Sequence, residues 1–293
     1  MTAIVFALFA AGCNAVSVTT RHIASTADPN RPVGWRLVGY LLTNPQWLAG
    51  WAAQIGAFLC QAIALHGGAV SVVQPLLVTE LVIELVLRRV WIRQTITPAA
   101  WTGALVTCVG LAVFIVAAEP RGGNPVPVAG QWASAIAACA AVVVLLTMLA
   151  ARGSPSRRAA LLASAAAVTW ALEATFIKTA TDTLAQSGVA GMFARWPVYA
   201  VAAGGAIGVV LEQAALQAGP LRVSQPLGVI IDPVVSIALS VVLFGESFVM
   251  DPGVLTAAAI GFCAMCAGVV VLTQTVPPTL QPDAAEPPRA RSG

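Results

Sequence analysis

The chain has 293 residues, 58% apolar and 9% charged, against about 45–50% and about 25% in soluble domains. Its roughly 170 apolar residues suffice for nine membrane spans of about 20 residues each. This composition excludes a soluble enzyme, a nucleic-acid binder and a secreted disulfide scaffold; the net charge of +3 gains meaning only once the charges are placed on a topology.

Nine apolar segments are predicted as membrane helices: residues 2–24, 46–66, 70–90, 98–118, 128–151, 159–181, 193–216, 223–244 and 253–273. No Lys or Arg precedes the first, so it lacks the basic leader of a signal peptide and reads as a membrane helix. Turn chemistry separates the segments, at Asp28-Pro29-Asn30, Asn44-Pro45, Gly67-Gly68, Arg121-Gly122-Gly123-Asn124-Pro125, Gly153-Ser154-Pro155, Gly219-Pro220 and Asp251-Pro252-Gly253. The tail from Val276 has five prolines, two acids and two arginines in 18 residues and is expected to be disordered. The six cysteines all fall in apolar stretches, where cysteine acts as a small hydrophobe. Cys263-Ala-Met-Cys266 lies within one such run, where burial disfavours the thiolate that redox chemistry needs.

The basic residues orient the chain. With the N-terminus outside, Arg21, Arg31, Arg36, Arg88, Arg89, Arg93, Arg152, Arg157, Arg158, Arg222, Arg289 and Arg291 fall inside, and only Arg121 and Arg195 fall outside. Glu119, Asp182, Glu246 and Asp251 fall on the outer side. Lys178 sits near the outer end of the sixth span, where it can snorkel. The reading is N-out and C-in, and an even span count would misplace an arginine cluster.

An internal repeat is visible. Gln61-Ala-Ile-Ala-Leu-His-Gly-Gly-Ala-Val-Ser-Val-Val-Gln-Pro-Leu76 aligns with Glu212-Gln-Ala-Ala-Leu-Gln-Ala-Gly-Pro-Leu-Arg-Val-Ser-Gln-Pro-Leu227. Gly103-x4-Cys108-x-Gly110 recurs as Gly261-x4-Cys266-x-Gly268, and a weaker match sets Arg21 opposite Lys178. Spans one to four thus repeat as spans six to nine, with span five as connector. The expected units are 1–120, a connecting region 121–156, 157–275, and a tail 276–293. Because the halves start on opposite sides, their topology is inverted, as in many secondary transporters.

The Trp170-x7-Lys178 helix, the Gly-Gly-x6-Gln-Pro-Leu hairpin and the terminal Gly-x4-Cys-x-Gly helix resemble the drug/metabolite transporter superfamily (EamA-like). Within it the chain looks most like the NIPA-type magnesium transporter branch, which also has nine spans. Ala52–Leu76 matches that branch in running from the second helix through a short turn into a Pro-Leu helix start. The resemblance covers about residues 2–275. It implies a transporter of small solutes in the plasma membrane and leaves the solute open.

Five acids lie within spans: Glu80 and Glu84 in the third, Glu173 in the sixth, Glu212 in the seventh and Asp232 in the eighth. A carboxylate at the bilayer centre costs about 2.5–3.5 kcal/mol, so these groups should face water, pair with cations or carry a proton. Glu80 and Glu84 share one helix face. Ser71-Val-Val-Gln74 reads as a capping box, which sets Glu80 about 13 Å from one surface and Asp232 about 12 Å from the other. Both approach the midplane, where inverted-repeat transporters bind solute. Glu80, Glu84 and Asp232 together would suit Mg²⁺, which prefers oxygen ligands. They would equally suit a proton relay, since adjacent carboxylates favour a shared proton.

Other readings stay open at several positions. Glu84 can pair with Arg88 one turn on. Glu212 lies near the inner end of its span. Glu173 or Asp182 can pair with Lys178, as a structural contact or an outer gate. Gln74-Pro75 and Gln225-Pro226 start repeat-related helices, where proline is tolerated, and their amides can line the path. His66 reads as a surface or interface histidine, and Gly204-x3-Gly208 as a packing face. The sequence has no phosphate-binding loop, no His-Glu-x-x-His and no intramembrane protease motif, so no enzyme and no resident cofactor is expected. The partners expected are the lipid bilayer and a small solute or cation, with Mg²⁺ or H⁺ as transported or coupling ion. An uncoupled magnesium facilitator and a non-transporting membrane scaffold are the alternatives.

Overall fold

The structure, a computed structural model, describes residues 2–26, 44–118, 123, 127–249 and 251–275. The turn at Asp28-Pro29-Asn30, together with Arg31, Arg36, Glu119, Arg121 and the tail from Val276, lies outside the described residues. The described chain is helical, with no strand. Its helices are α1 (Thr2–Thr26), α2 (Pro45–Gly67), α3 (Val70–Leu77), α4 (Thr79–Trp91), α5 (Pro98–Ala118), α6 (Ala129–Ala150), α7 (Pro155–Phe193), α8 (Pro197–Ala218), α9 (Leu221–Phe244) and α10 (Pro252–Thr275). Among the described residues nine stretches are long and apolar enough to cross a membrane, α3 and α4 together forming the third. This is a multi-pass membrane protein.

Helix starts follow local chemistry. Asn44 caps α2, its side-chain oxygen accepting from the N–H groups of Gln46 at 2.9 Å and Trp47 at 3.3 Å, with Pro45 in the first turn where no N–H is needed. Ser154 and Pro155 repeat this device at α7. The third span runs as expected, over Val70–Trp91. Pro75 removes one N–H from the ladder, and the α-helical ladder breaks at Val78, which keeps helical φ/ψ (−57°, −23°) while its N–H bonds three residues back to the Pro75 carbonyl at 3.2 Å. The sixth span is longer than 159–181, because its apolar and small residues stay helical from Pro155 until Gly188, where φ of 66° ends the run.

Small residues let the helices approach closely, the usual means of packing where lipid is as apolar as the interior. The tightest crossing is between α5 and α10. A Cβ on Gly110 would run into the Met265 amide nitrogen and lie 2.6 Å from the Gly261 carbonyl oxygen. A Cβ on Gly268 would lie 2.5 Å from the Thr107 nitrogen and 2.7 Å from the Gly103 oxygen. Gly103 thus meets Gly268 and Gly110 meets Gly261, so the two helices run antiparallel. On α8, Gly204 packs on Glu173 and Phe176, and Gly208 on Trp170, all from α7. The connector α6 docks through Trp132, whose ring stacks on Phe176 with centroids 5.5 Å apart and meets Trp196 edge-on at 5.0 Å. Large apolar side chains such as Val116, Met148 and Val210 stay exposed on the perimeter, the pattern of a lipid-facing wall.

The helix ends sort into two groups. Thr2 and Ala3 of α1 neighbour Gly67 and Gly68, and Gly123 neighbours Phe244 and Gly245 at the close of α9. Lys178 reaches this same end through the carbonyls of Leu65 and Gly68; it is called the Lys178 end below. Pro155 of α7 touches Gly219, between α8 and α9, at the opposite end. Arg21, about 28 Å along α1 from Thr2, lies toward that second end and packs on Gly50 of α2.

Candidate functional site

At the Lys178 end, side chains from the second half of the chain clasp the α2–α3 turn. The Lys178 ammonium donates to the carbonyl oxygens of Leu65 at 2.7 Å and Gly68 at 2.9 Å. These are orphan carbonyls at the close of α2, where a cation also meets the negative end of the helix dipole. The ammonium stands 5.6 Å over the Phe244 ring, within cation–π range. Glu246 works on the other limb of the turn. Its oxygens accept from the N–H of Val70 at 2.8 Å, the N–H of Ser71 at 3.1 Å and the Ser71 hydroxyl at 2.6 Å. It therefore caps α3 from 175 residues away in sequence.

This overturns the capping box expected at Ser71–Gln74. The N-cap residue is Ala69, which has no side-chain cap of its own, and the serine hydroxyl is spent on Glu246. Asp182 was expected in an outer loop; it is buried within α7 and meets the His66 imidazole at 2.6 Å. Lys178 does not snorkel, because its ammonium has carbonyl partners inside the protein and Asp182 and Glu246 within electrostatic reach.

In the middle of the helices the acids spread out. Glu80, Glu173, Glu212 and Asp232 come from four helices. Glu84, Glu212 and Asp232 lie within electrostatic reach of Glu80, and Asp232 within reach of Glu173. Glu80 and Asp232 are half-buried within the helix bundle. Each is fixed by one neighbour: Asn14 donates to Glu80 at 2.9 Å, and the Ser236 hydroxyl donates to Asp232 at 3.0 Å. Glu80 follows the break at Val78, and Asp232 precedes Pro233. Both therefore sit where the helix ladder is interrupted.

The expected metal triad does not form. Among the described residues no three His, Cys, Asp or Glu side chains converge closely enough to hold a metal ion. Glu84 turns to Arg88, whose Nε donates to it at 3.1 Å. The geometric reason is the one-turn spacing: the arginine reaches the nearer carboxylate along the helix, which draws Glu84 away from Asp232. The two repeat-related glutamines also part company. Gln74 is buried and Gln225 is exposed, because α3 is inserted against α1 and α9 while the start of α9 stands at the perimeter. Glu173 is buried against the Gly204–Gly205 face of α8. Glu212 is exposed, with Trp170 in hydrogen-bonding reach and Arg21 in electrostatic reach.

A polar chain missing from the sequence reading links these groups. The Arg21 guanidinium Nη2 donates to the Gln54 amide oxygen at 3.1 Å, and Ser17 donates to the same oxygen at 3.2 Å. The Gln54 amide nitrogen donates to the Asn14 oxygen at 2.9 Å, and Asn14 donates to Glu80. Every link points the same way, from the Arg21 cation toward the Glu80 carboxylate. The signal available in sequence was Asn14, Ser17 and Arg21 at helical spacing on one apolar helix, facing Gln54 in the next.

No family model matches the chain, and no solved structure matches it. An uncharacterized protein of Corynebacterium glutamicum is 28% identical over 279 residues, covering 94% of this chain and 96% of the relative. The likeness therefore spans the whole helical bundle and not one motif.

Proposed function

We propose that this protein is a secondary-active transporter of the drug/metabolite type, moving a small solute across the plasma membrane in exchange for protons. The observation that carries the reading is the pair Glu80 and Asp232. They lie on the third and eighth membrane helices, Glu80 just after the loosened turn at Val78 and Asp232 beside Pro233, half-buried in the bundle and within electrostatic reach of each other. Buried carboxylates inside a membrane are costly, and proton or ion pathways are the usual place for them.

The two halves are inverted repeats in this reading. The antiparallel α5–α10 crossing supports it, since sequence-matched glycines meet reciprocally, Gly103 with Gly268 and Gly110 with Gly261. With N-out orientation by arginine distribution, the Lys178 end is the outer face. Its clasp closes the outer mouth, and in this reading the structure is the state closed toward the outside. Protons are favoured over a bound Mg²⁺ because the carboxylates do not converge on one point.

Proteoliposomes loaded with parallel fluorescent pH and Mg²⁺ indicators test this, comparing wild type with Glu80→Gln and Asp232→Asn. Proton movement that both substitutions abolish is the expected result. Mg²⁺ entry without proton movement would replace the proposal with an uncoupled magnesium facilitator. No flux of either kind, across a panel of organic cations and metabolites, would leave a scaffold role.

A further inference from the structure

The clasp at the Lys178 end has a sequence-matched partner that is not clasped in the same way. In the repeat, Leu65 corresponds to Leu216 and Gly68 to Gly219. The two turns also share a backbone path. Gly68 has φ −142° and ψ 169°, and Gly219 has φ 178° and ψ −166°, both extended. The following residues match more closely: Ala69 at φ −69° and ψ 136°, Pro220 at φ −68° and ψ 133°. The α8–α9 turn therefore follows a backbone path close to that of the α2–α3 turn, with the Leu216 and Gly219 carbonyls at the positions of the two that Lys178 holds.

Arg21 is the residue that the repeat sets opposite Lys178. Here it is engaged elsewhere, with Gln54, with the Ser17 carbonyl at 3.3 Å and with the Trp51 ring at 5.3 Å. Its position is set by the amide chain through Gln54 and Asn14 to Glu80. While Glu80 is ionised, both amides must present their N–H₂ groups toward it and their oxygens toward Arg21. A protonated Glu80 can accept or donate. The chain then loses its enforced direction: with both amides turned over, Gln54 presents its N–H₂ instead of its oxygen to Arg21, and the guanidinium loses that acceptor. The groups facing Glu80 are Glu84 on its own helix, Asn14 on α1, Glu212 on α8 and Asp232 on α9. The groups facing Arg21 are Gln54 and Trp51 on α2 and Glu212 on α8.

We propose that Arg21 is the gate cation of the second end: when Glu80 takes up a proton, Arg21 leaves Gln54 and binds the carbonyls of Leu216 and Gly219. Lys178 and Glu246 release the α2–α3 turn in the same transition. Asn14 and Gln54 are then positioning residues that report the Glu80 proton to the gate. This rests on the transporter reading, and adds to it a named switch and a named second gate.

Amide hydrogen exchange on the full chain in lipid nanodiscs tests it, following residues 65–71 and 216–222. The variants are Glu80→Gln, Glu80→Gln with Arg21→Ala, and Glu80→Gln with Arg21→Lys, each checked for an unchanged melting profile. Glu80→Gln is expected to speed exchange at 65–71 at least tenfold and to slow it at 216–222 at least tenfold. The added Arg21→Ala should remove the slowing at 216–222 and leave the speeding at 65–71, while Arg21→Lys should restore part of the slowing. If 216–222 stays unchanged in Glu80→Gln, or slows equally with Arg21→Ala, the Arg21 assignment is wrong while the transporter reading stands. If neither segment responds to Glu80→Gln, Glu80 does not control access at either end, and the proposed function fails with it.

Discussion

Two helix turns at opposite ends of the molecule share a sequence pattern and a backbone path, yet only one of them is gripped by its matching cation. At the α2–α3 turn, Lys178 holds both carbonyls and Glu246 holds the following N–H groups. At the α8–α9 turn the matching cation, Arg21, is drawn toward Gln54 and the amide chain that ends on Glu80. Two turns of similar backbone path thus differ in what their carbonyls and N–H groups meet. That arrangement suits a protein with two states of similar energy, because each clasp is a handful of hydrogen bonds and not a large packed surface.

The contrast can be broken most severely away from both turns. Gly110→Leu places a side chain where even a Cβ would run into the Met265 nitrogen. Overpacking costs about 1–3 kcal/mol or more, and the α5–α10 crossing joins the two halves, so folded yield in detergent should collapse. Size-exclusion profiles of Gly110→Leu against wild type measure this. Lys178→Met comes next. It removes two charge-assisted bonds of about 1.5–3 kcal/mol each, so the Lys178 end should open and exchange at 65–71 should rise by roughly a hundredfold or more. Glu246→Gln keeps one acceptor oxygen but loses the charge at the start of α3. A rise of roughly tenfold in the same segment is expected from the lost cap, worth about 1 kcal/mol.

The smallest effect sharpens the comparison from the other side. Glu84 is tied to Arg88 one turn away, a pairing worth about 0.2–0.5 kcal/mol on a helix surface. Glu84→Gln should leave proton flux within about twofold of wild type, whereas Glu80→Gln should abolish it. Pyranine-loaded proteoliposomes distinguish the two. Equal loss in both would mean that the carboxylates act as one cluster.

The contrast between Glu80 and Glu84 also shows what sequence could and could not supply. The nine apolar stretches, the turn at Asn44-Pro45 before α2 and the Gly204-x3-Gly208 packing face are legible, because each depends on composition or on neighbours in sequence. The burial of Glu246 is not. An acid in a loop between helices reads as solvated, and nothing local says that its partners lie 175 residues away. The capping box at Ser71 failed for the same reason, a local rule losing to a distant carboxylate. The break at Val78 was foreshadowed only by Pro75. Glu84 and Arg88 were weighed correctly as a helical pair, but sequence could not rank that pair against a shared site with Asp232. The Asn14–Gln54 chain escaped notice because neutral amides on apolar helices carry no charge pattern.

The central claim is that the two ends open in alternation under control of the Glu80 proton. It is tested most directly by spin-label distances across the Lys178 end. Labels would be placed at Gly67→Cys and Ser247→Cys, with the six native cysteines replaced, in nanodiscs at acidic and alkaline pH. The account predicts two distance populations: a short one dominant at alkaline pH, a long one growing as pH falls, and the long one locked in by Glu80→Gln. A single distance that neither pH nor Glu80→Gln alters would contradict it.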